Sequence, residues 1–174
     1  ITFGADLTIM EEAMELVKRI KNKETLPMFT SCCPAWVKYV EIFYKEFITN
    51  LSTCKSPITM QSTVIKTYFA NNKKIKPSEI LNVVIAPCTA KKSEIKRKEI
   101  NRSGCDDTDF VLTTRELALL LKEEAIDLKS LENSKFDSPL GKGSSAGLIF
   151  GNSGGVVEAA LRTAYYYLTG KNLN

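Results

Sequence analysis

Residues 82–94 have the sequence NVVIAPCTAKKSE, and residues 26–36 have the sequence LPMFTSCCPAW. In each stretch a short apolar run leads into a cysteine, and a helix-forming run follows it. This order predicts cysteines at the points where strands end and helices begin, which is the edge at which open α/β sheets bind their ligands. The N–H groups and dipole of a helix start also favour a thiolate there. We therefore expect an α/β fold with a cysteine-based metal site.

Four short apolar segments are predicted to be strands, each followed by a helical segment: residues 26–30, 82–86, 109–112 and 147–151. The segment at 82–86 is β-branched without alternation, which is typical of a central parallel strand covered on both faces. Parallel neighbours need a crossover between them, usually a helix. The pattern predicts an α/β fold with a roughly four-stranded, mainly parallel sheet and helices flanking both of its faces.

Helical periodicity predicts five helices, at residues 7–20, 35–47, 58–70, 114–124 and 156–169, and a short helical turn at 77–80. A capping box from Thr8 to Glu11 marks the start of the first helix, and another from Thr113 to Glu116 marks the start of the fourth. Gly170 suits the C-terminal cap of the last helix. We expect residues 134–147 to be an ordered loop and residues 1–174 to form a single domain.

The composition excludes several classes of function. The chain has no histidine, so Cys/His catalysis, Ser/His/Asp triads and the usual zinc enzymes are excluded. Five cysteines among 174 residues do not resemble the disulfide frame of a small secreted protein, so we expect reduced thiols. We find no signal peptide and no membrane-spanning run. A cytoplasmic location is expected, with the periplasm as an alternative, because a chain starting at Ile1 suggests a fragment.

Charge and glycine patterns add two negative expectations. The net charge of +4 is small, and the basic run from Lys91 to Lys98 is broken by Glu94 and lacks aromatic residues. A solvated helix face is therefore favoured over a nucleic-acid surface, and neither nucleic acid nor membrane is an expected partner.

The glycine-rich residues 141–143 and 151–155 match no phosphate-binding motif. Residues 151–155 suit a tight turn, or a close approach of the backbone to a bound group.

Taken alone, each cysteine motif leaves two interpretations open. Adjacent cysteines at a helix start point about 100° apart, so Cys32 and Cys33 should differ in function, although such a pair is more often packed in a core. Cys88, Lys91 and Glu94 would share one helix edge, where the ammonium suits an anionic ligand and the carboxylate can relay protons. An exposed lysine and glutamate beside a buried cysteine is the simpler interpretation of that motif alone. Cys54 and Cys105 are expected to be core or loop thiols.

Together, these segments resemble the catalytic, H-cluster domain of iron-only (FeFe) hydrogenases. The resemblance includes both cysteine motifs and three further segments, and it covers essentially the whole chain; the further segments are GADLTIMEEA at 4–13, TTREL at 113–117 and IFGNSGGVVEAALR at 149–162. It implies reversible reduction of protons to dihydrogen by an oxidoreductase, at a di-iron subcluster joined to a four-iron cluster. It also implies a ferredoxin-like electron carrier as partner.

The resemblance implies roles for individual residues. Cys33 and Cys88 would be thiolate ligands of the four-iron cluster, and Cys32 would exchange protons with the di-iron centre. Lys91 would donate a hydrogen bond to a cyanide ligand of that centre. The other implied site residues belong to the proton route (Glu94, Ser52, Glu15 and Arg19) or lie beside the cofactor (Pro87, Phe150 and Gly151).

The chain departs from the family pattern in its ligand set. A four-iron cluster needs four protein ligands, and the family's third signature, MACxGGC, is missing because no cysteine follows Cys105. We therefore expect one lobe of an H-cluster domain, inactive and cluster-free by itself, that needs the remaining lobe as a partner. Ala86 stands where methionine is common in the family, and Ile58 stands where glutamine is common.

Three other functions are alternatives to a hydrogenase. The first is a hydrogen-sensing relative, which Ala86 keeps open. The second is a non-enzymatic, hydrogenase-like iron-sulfur assembly protein, and the third is a metal-free interaction module. The combination of Cys32, Lys91 and Glu94 argues against the assembly protein, because such a protein needs no shuttle thiol, cyanide donor and relay carboxylate together.

Overall fold

The computed structural model describes residues 1–173, which are mainly helical with a small parallel sheet. The helices are α1 (Thr2–Asn22), α2 (Pro34–Phe43), α3 (Pro57–Val64), α4 (Ala70–Lys73), α5 (Ala90–Glu94), α6 (Thr114–Glu123), α7 (Ser145–Phe150) and α8 (Gly155–Thr169). The strands are β1 (Val83–Ala86) and β2 (Phe110–Thr113). Shorter elements are 3-10 turns at Lys45–Asn50, Pro77–Glu79 and Lys98–Ile100, and a π-helical turn at Ile65–Phe69.

The chain divides into two compact units. The helical unit contains residues 1–61 together with the chain from residue 142 onward, and the strand unit contains residues 62–141. The second boundary lies inside the segment that we predicted to be an ordered loop. Each unit has its own packing, and the prediction of a single domain remains a prediction.

The core of the helical unit lies between α1 and α8, and α7 packs against both helices. Ala13 and Val17 of α1 and Ala164 of α8 are buried there, with Leu16 and Tyr167 packed against them. Small side chains at this interface let the helix axes approach closely, so contact extends along both helices.

Helix α1 begins five residues earlier than the periodicity predicts, at Thr2 instead of residue 7. Thr8 is fully buried inside the helix, where its hydroxyl donates to the carbonyl oxygens of Gly4 (3.2 Å) and Lys55 (3.1 Å). The predicted capping box at Thr8 is therefore wrong. A threonine hydroxyl can cap a helix or bond back to the carbonyl four residues earlier, and the sequence does not distinguish these two uses.

The α/β class and the parallel pairing are confirmed, but the predicted number of four strands is wrong. Among residues 1–173 the one sheet contains β1 and β2, with Val83 opposite Phe110 and Ala86 opposite Thr113. The segment at 26–30 forms a single bridge, from Phe29 to Leu51. The segment at 147–151 lies in and just after α7, since a short apolar run fits a helix as well as a strand.

Strand β1 is not covered on both faces by the described chain. Ala86 is 5% exposed, but Val83 and Ile85 are 47% and 51% exposed. An uninterrupted apolar run shows that a strand can be buried on both faces. The run does not show that residues 1–173 themselves cover both faces. The prediction that β1 is covered on both faces is therefore wrong for the described residues.

Two predicted helices are interrupted. The helix predicted at 35–47 ends at Phe43 and continues as the 3-10 turn, and the helix predicted at 58–70 contains the π-helical turn before α4. A π turn widens the helix by one residue per turn and is often found near functional or strained positions. The interruption places Lys66, which is 1% exposed, on the inside of the strand unit.

Three helix ends agree with their predictions. The capping box of α6 is present, with the Thr113 side chain accepting from the Glu116 N–H and the Glu116 carboxylate accepting from the Thr113 N–H. Gly170 caps α8 with φ of 69°. The turn between α7 and α8 has Gly154 at φ of 71°, and a Cβ at Gly155 would collide with the carbonyl of Ile149. The predicted tight turn is therefore present, and the predicted close approach to a bound group stays a prediction.

A buried cation organises the strand unit. The Lys66 ammonium forms an ion pair with Asp109 at 2.7 Å and donates to the carbonyl oxygen of Asp106. Asp109 also accepts from the N–H of Asn82 at 2.7 Å, and the Asn82 amide donates to the carbonyl oxygen of Asp107 at 2.8 Å. These bonds tie the residues that precede β1 to those that precede β2, which fixes the register of the two strands.

We expect Lys66→Ala to lower the free energy of unfolding by about 3 kcal/mol, because it leaves Asp109 without its buried partner. Lys73→Ala, at an exposed lysine of α4, should change it by less than about 0.5 kcal/mol. Urea unfolding followed by circular dichroism measures both. Equal effects of the two variants would show that the buried pair does not stabilise the strand unit.

Candidate functional site

A cluster of polar groups in the helical unit surrounds the carboxylate of Glu15 on α1. Its Oε1 accepts from Nε and Nη2 of Arg19, at 3.1 and 2.6 Å. Its Oε2 accepts from the Ser52 hydroxyl and from the Thr53 N–H, both at 2.9 Å. The Thr53 hydroxyl and the Cys54 thiol also point to Oε2, at 3.2 and 3.6 Å. The sequence grouped Glu15, Arg19 and Ser52, and the structure brings these three together.

Arg19 binds the backbone as well as Glu15. Its guanidinium is buried and donates to the carbonyl oxygens of Thr49 at 3.1 Å, Leu51 at 2.8 Å and Thr25 at 3.3 Å. A guanidinium has five N–H donors and no acceptor, so it can hold several carbonyl groups at once. Arg19 therefore fixes the chain just before Ser52 to α1.

The same network reaches the cysteine motif. The N–H of Cys54 donates to the Ser52 hydroxyl at 3.1 Å, and the Ser31 hydroxyl donates to the carbonyl oxygen of Cys54 at 2.8 Å. Ser31 directly precedes Cys32, so a continuous set of hydrogen bonds runs from the first cysteine motif to Glu15. Within this set only the Ser52 hydroxyl can pass a proton, because it both donates and accepts, whereas the Cys54 N–H and carbonyl groups hold the segment in place.

The pKa of Glu15 is lowered from its ordinary value. Burial by itself raises the pKa of this carboxyl, but the hydrogen bonds from Arg19, Ser52 and the Thr53 N–H favour the charged form more strongly and lower it. Glu15 is therefore an ionised acceptor at the centre of the cluster.

Glu12 is a functional candidate that the sequence analysis missed. It lies one helical turn before Glu15, is fully buried, and accepts from the Ser31 N–H at 3.5 Å through Oε1. Its Oε2 has no hydrogen-bond partner among the described residues. Burial raises the pKa of Glu12, opposed by hydrogen bonds from Ser31 and Ser52 and assisted by the charge of Glu15. A carboxyl that holds its proton more tightly than Glu15, beside the cysteine motif, is suited to proton transfer.

A signal for Glu12 is present in the sequence. Ala5, Ile9 and Leu16 share the apolar side of α1 at helical spacing, and Glu12 occupies the position between them that an apolar residue would normally fill. A carboxylate on the core side of an amphipathic helix is unusual enough to be singled out.

Cys54 belongs to this cluster, although the sequence suggested only a core or loop thiol. Burial is the main cause that raises the pKa of its thiol to about 12, and the nearby charges of Glu15 and Glu12 raise it further against a hydrogen bond to Ser52. The thiol is thus a protonated donor toward Glu15 and a poor nucleophile.

The cluster has an opening to the surface. A polar pocket of about 430 Å³ is lined by residues that include Glu15, Lys18, Glu24, Thr49 and Thr53. The Glu15 side chain is 14% exposed there. Protons can therefore reach this end of the network from water.

The two cysteines of the first motif differ in their exposure. Cys32 is half-buried, whereas Cys33 is exposed and precedes Pro34, the first residue of α2. Proline suits this position, because the first N–H groups of a helix have no partner within the helix. All five cysteines are free thiols.

The second motif lies in the strand unit. Cys88 is exposed in the turn between β1 and α5, with Pro87 beside it. The Lys91 ammonium donates to the Glu94 carboxylate at 2.8 Å, and Glu94 is 8% exposed. The structure therefore brings Lys91 and Glu94 together, and both side chains are mostly buried. This differs from the simpler interpretation of an exposed pair beside a buried cysteine.

Three of the five basic side chains in residues 91–98 form ion pairs. Lys92 pairs with Glu116, and Arg97 pairs with Glu99 at 2.7 Å, in addition to the pair of Lys91 with Glu94. Lys92 contributes most to lowering the pKa of Glu116 to about 2, with hydrogen bonds from Thr113. These pairs offset part of the positive charge that phosphate backbones attract.

Several predicted site residues are not joined by described contacts. Cys33 belongs to the helical unit and Cys88 to the strand unit, so their convergence remains a prediction. Phe150 is half-buried at the end of α7, and Gly151 is exposed just after it. Within residues 1–173, no three side chains among cysteine, aspartate and glutamate are grouped so as to hold a metal ion. No helix in that range is both long and apolar enough to cross a membrane.

Comparison with known proteins gives a consistent result. Residues 1–174 match the family described as iron only hydrogenase large subunit, C-terminal domain. Iron hydrogenase 1 of Clostridium pasteurianum is 49% identical over 164 residues, which are 94% of this chain and 29% of that protein. The periplasmic Fe hydrogenase large subunit of Nitratidesulfovibrio vulgaris is 48% identical over 171 residues, which are 97% of this chain and 41% of that protein.

A solved structure and a more distant relative extend the comparison. A variant of the apo FeFe-hydrogenase HydA1 from Chlamydomonas reinhardtii has a TM-score of 0.85 and 46% identity, covering 99% of this chain and 44% of that one. A cytosolic Fe-S cluster assembly factor of Xenopus tropicalis is 31% identical, covering 99% of this chain and 38% of that protein. The chain thus spans less than half the length of each of these relatives.

We expect Glu12→Gln and Glu15→Gln to change stability with opposite dependence on pH. Because the pKa of Glu12 is raised, the contribution of this carboxyl to folding stability is complete below about pH 4.5. It is lost as the pH rises through the folded-state pKa of Glu12. Glu12→Gln should therefore gain stability relative to the parent as the pH rises above about 4.5. The lowered pKa of Glu15 gives a contribution that is present above about pH 4.5 and lost at lower pH. Glu15→Gln should therefore be most destabilising near neutrality.

Urea unfolding of the parent and both variants at a series of pH values measures these differences. A Glu12→Gln difference that does not change with pH would show that Glu12 titrates in the folded protein as it does in water.

We also expect the cysteines to differ in reactivity toward iodoacetamide. Cys33 and Cys88 are exposed and should be alkylated at about pH 8, whereas the raised pKa and partial burial of Cys54 should keep it unmodified in the folded protein. Mass spectrometry of the digested protein measures each site. Alkylation of Cys54 as fast as that of Cys88 would contradict the assignment of a protonated, inaccessible thiol.

Proposed function

The chain belongs to the iron-only hydrogenase family, and from this we propose that it forms part of a catalytic domain that reversibly reduces protons to dihydrogen. The observation that supports this function best is the placement of two carboxyls between the polar pocket and the first cysteine motif: Glu15 lines the pocket and accepts from the Ser52 hydroxyl, and the buried Glu12 accepts from the N–H of Ser31, the residue before Cys32. A reaction that consumes protons at a buried metal site needs such a route.

We propose that Cys33 and Cys88 are thiolate ligands of the four-iron part of the H-cluster. Their chemistry fits the group, because both are free, exposed thiols at the turns that open a helix. When bound, the H-cluster would supply the iron at which protons and electrons combine. Two further ligands would come from the remaining lobe, so the chain by itself would be cluster-free and inactive.

The proposed proton route uses the carboxyls of α1. The Cys32 thiol would exchange protons with the cofactor on one side and with Glu12 on the other, since Glu12 is held beside this motif by the N–H of Ser31. Ser52 would pass protons between Glu12 and Glu15, since a hydroxyl can accept one proton while donating another. Arg19 would keep Glu15 ionised and oriented, so its part in the route is that of a fixed charge.

Lys91 and Glu94 would serve the cofactor from the strand unit. Their hydrogen bond keeps the ammonium oriented, so that it can donate to a cyanide ligand while Glu94 neutralises its charge. Glu94 remains a predicted member of the proton route. Pro87, Phe150 and Gly151 remain predicted neighbours of the cofactor.

The partners follow from the same reaction. A ferredoxin-like carrier would deliver electrons, and the remaining lobe would cover the exposed apolar side chains of β1 and complete the ligand set. The cytoplasm is the proposed location, with the periplasm as the alternative.

The main competing functions share the iron-sulfur site. A sensing relative would bind the complete H-cluster but turn over slowly, and Ala86 at the buried end of β1 keeps this possible. An assembly protein would bind the four-iron part alone. Dihydrogen evolution and iron content of the full-length protein, purified without oxygen, separate the three functions.

We expect Cys32→Ala to abolish dihydrogen evolution while the iron content is kept, because it removes the proton donor and no ligand. Cys33→Ser should lower the iron content itself. Cys105→Ala, at a half-buried cysteine outside both motifs, is the matched control and should change neither quantity. Turnover with a reduced electron donor and iron analysis measure the effects. Full turnover of Cys32→Ala would remove this thiol from the mechanism, and an iron-free full-length protein would exclude the proposed function.

A further inference from the structure

We propose that the Thr53 hydroxyl is the terminal relay group of the proton route, the one that exchanges protons between Glu15 and water in the polar pocket. This inference rests on the proposed function and concerns the same network. It assigns the contact with solvent to a residue that neither cysteine motif contains.

Arg19 cannot fill this position. Its guanidinium stays charged at all relevant pH values and has donors only, so it cannot accept a proton from water and pass one on. Its N–H groups are also directed at Glu15 and at the backbone carbonyl groups of Thr25, Thr49 and Leu51. Arg19 is therefore a positioning residue for Glu15.

Cys54 is also unsuited to be the terminal relay group, although its thiol lies 3.6 Å from Oε2 of Glu15. The side chain is half-buried and does not line the polar pocket, so water does not reach it from that side. The high pKa of the thiol, about 12, agrees with a donor that holds its proton.

Thr53 has the required geometry. Its hydroxyl donates to Oε2 of Glu15 at 3.2 Å, and the same residue is exposed and lines the polar pocket. Its backbone N–H donates to the same oxygen at 2.9 Å, which holds the residue in place beside the carboxylate. Ser52 approaches Oε2 from the buried side at 2.9 Å. One oxygen of Glu15 thus contacts an inner hydroxyl and an outer hydroxyl.

The step balances without any additional reactant except water. For an inward proton, the Thr53 O–H bond breaks as its proton moves to Oε2, and a hydronium ion in the pocket gives a proton to the Thr53 oxygen and becomes water. Glu15 then passes a proton to the Ser52 hydroxyl, which releases its own proton inward. The outward direction reverses these bonds, so the hydroxyl ends each transfer unchanged.

The test compares Thr53→Val with Thr53→Ser in the full-length protein. Valine keeps the shape and the backbone N–H but removes the hydroxyl, whereas serine keeps the hydroxyl. We expect Thr53→Val to lower dihydrogen evolution by about tenfold, less than the 10²–10⁴-fold of a positioned acid-base group because water partly replaces the hydroxyl. Thr53→Ser should stay within about twofold of the parent, and small buffer acids should partly restore Thr53→Val.

Two controls accompany the rate measurement. Iron content should be the same in all variants, since Thr53 contacts no proposed ligand. Thr67→Val, at an exposed threonine of the π-helical turn whose hydroxyl donates to the carbonyl oxygen of Thr63, should leave the rate unchanged.

A second readout does not depend on the cofactor. Infrared difference spectra against Glu12→Gln identify the C=O band of the protonated Glu12 carboxyl, and its shift after mixing with D2O gives the rate of proton exchange along the network. We expect slower exchange in Thr53→Val and normal exchange in Thr53→Ser. If the parent evolves no dihydrogen but this pattern is found, the proposed function fails and the assignment of Thr53 stands. Unchanged exchange and turnover in Thr53→Val, or equal losses in both variants, would overturn it.

Discussion

The stability of the helical unit depends on one half-buried carboxylate, that of Glu15, remaining ionised. Glu15 meets this requirement through donors from two separate parts of the chain, Arg19 on its own helix and residues 52–54. Arg19 in turn holds the carbonyl groups that precede Ser52. A buried charge that loses its partner costs several kcal/mol, so α1 and this segment are stable only together. A lysine could not replace Arg19, because three donors on a compact ammonium cannot reach the carboxylate and several carbonyl groups at once.

The same arrangement separates two carboxyls that are chemically identical. Glu12 and Glu15 are one turn apart on α1, yet burial raises the pKa of Glu12 and donors lower the pKa of Glu15. Pairs of titratable groups with opposite shifts are typical of sites where one group gives a proton and the other accepts it. The difference arises from position alone, because Glu12 points to the core side of the helix and Glu15 points to the segment that supplies its donors.

The sequence predicted those parts of the structure that local interactions determine. The strands at 83–86 and 110–113, the capping box of α6 and the end of α8 each depend on a few neighbouring residues, and each is present. The segments at 26–30 and 147–151 were predicted wrongly as strands, because short apolar runs fit either element and tertiary packing decides between them. The grouping of Glu15, Arg19 and Ser52 came from family resemblance. Glu12 and Thr53 were missed because only the fold shows which carboxyl is buried and which hydroxyl faces both Glu15 and water.

The two halves of the proposed site differ in how they are built. The hydrogen-bonded cluster around Glu15 lies entirely within the helical unit, whereas Glu94, the other predicted member of the proton route, lies in the strand unit. The proposed metal ligands are instead divided, with Cys33 in the helical unit and Cys88 in the strand unit. Loss of a ligand thiol therefore removes no contact of the Glu15 cluster, and loss of a relay hydroxyl removes no ligand. Because the two sets share no side chain, proton transfer and metal binding can be altered separately, and variants of Cys33 and of Thr53 report on different steps of one reaction.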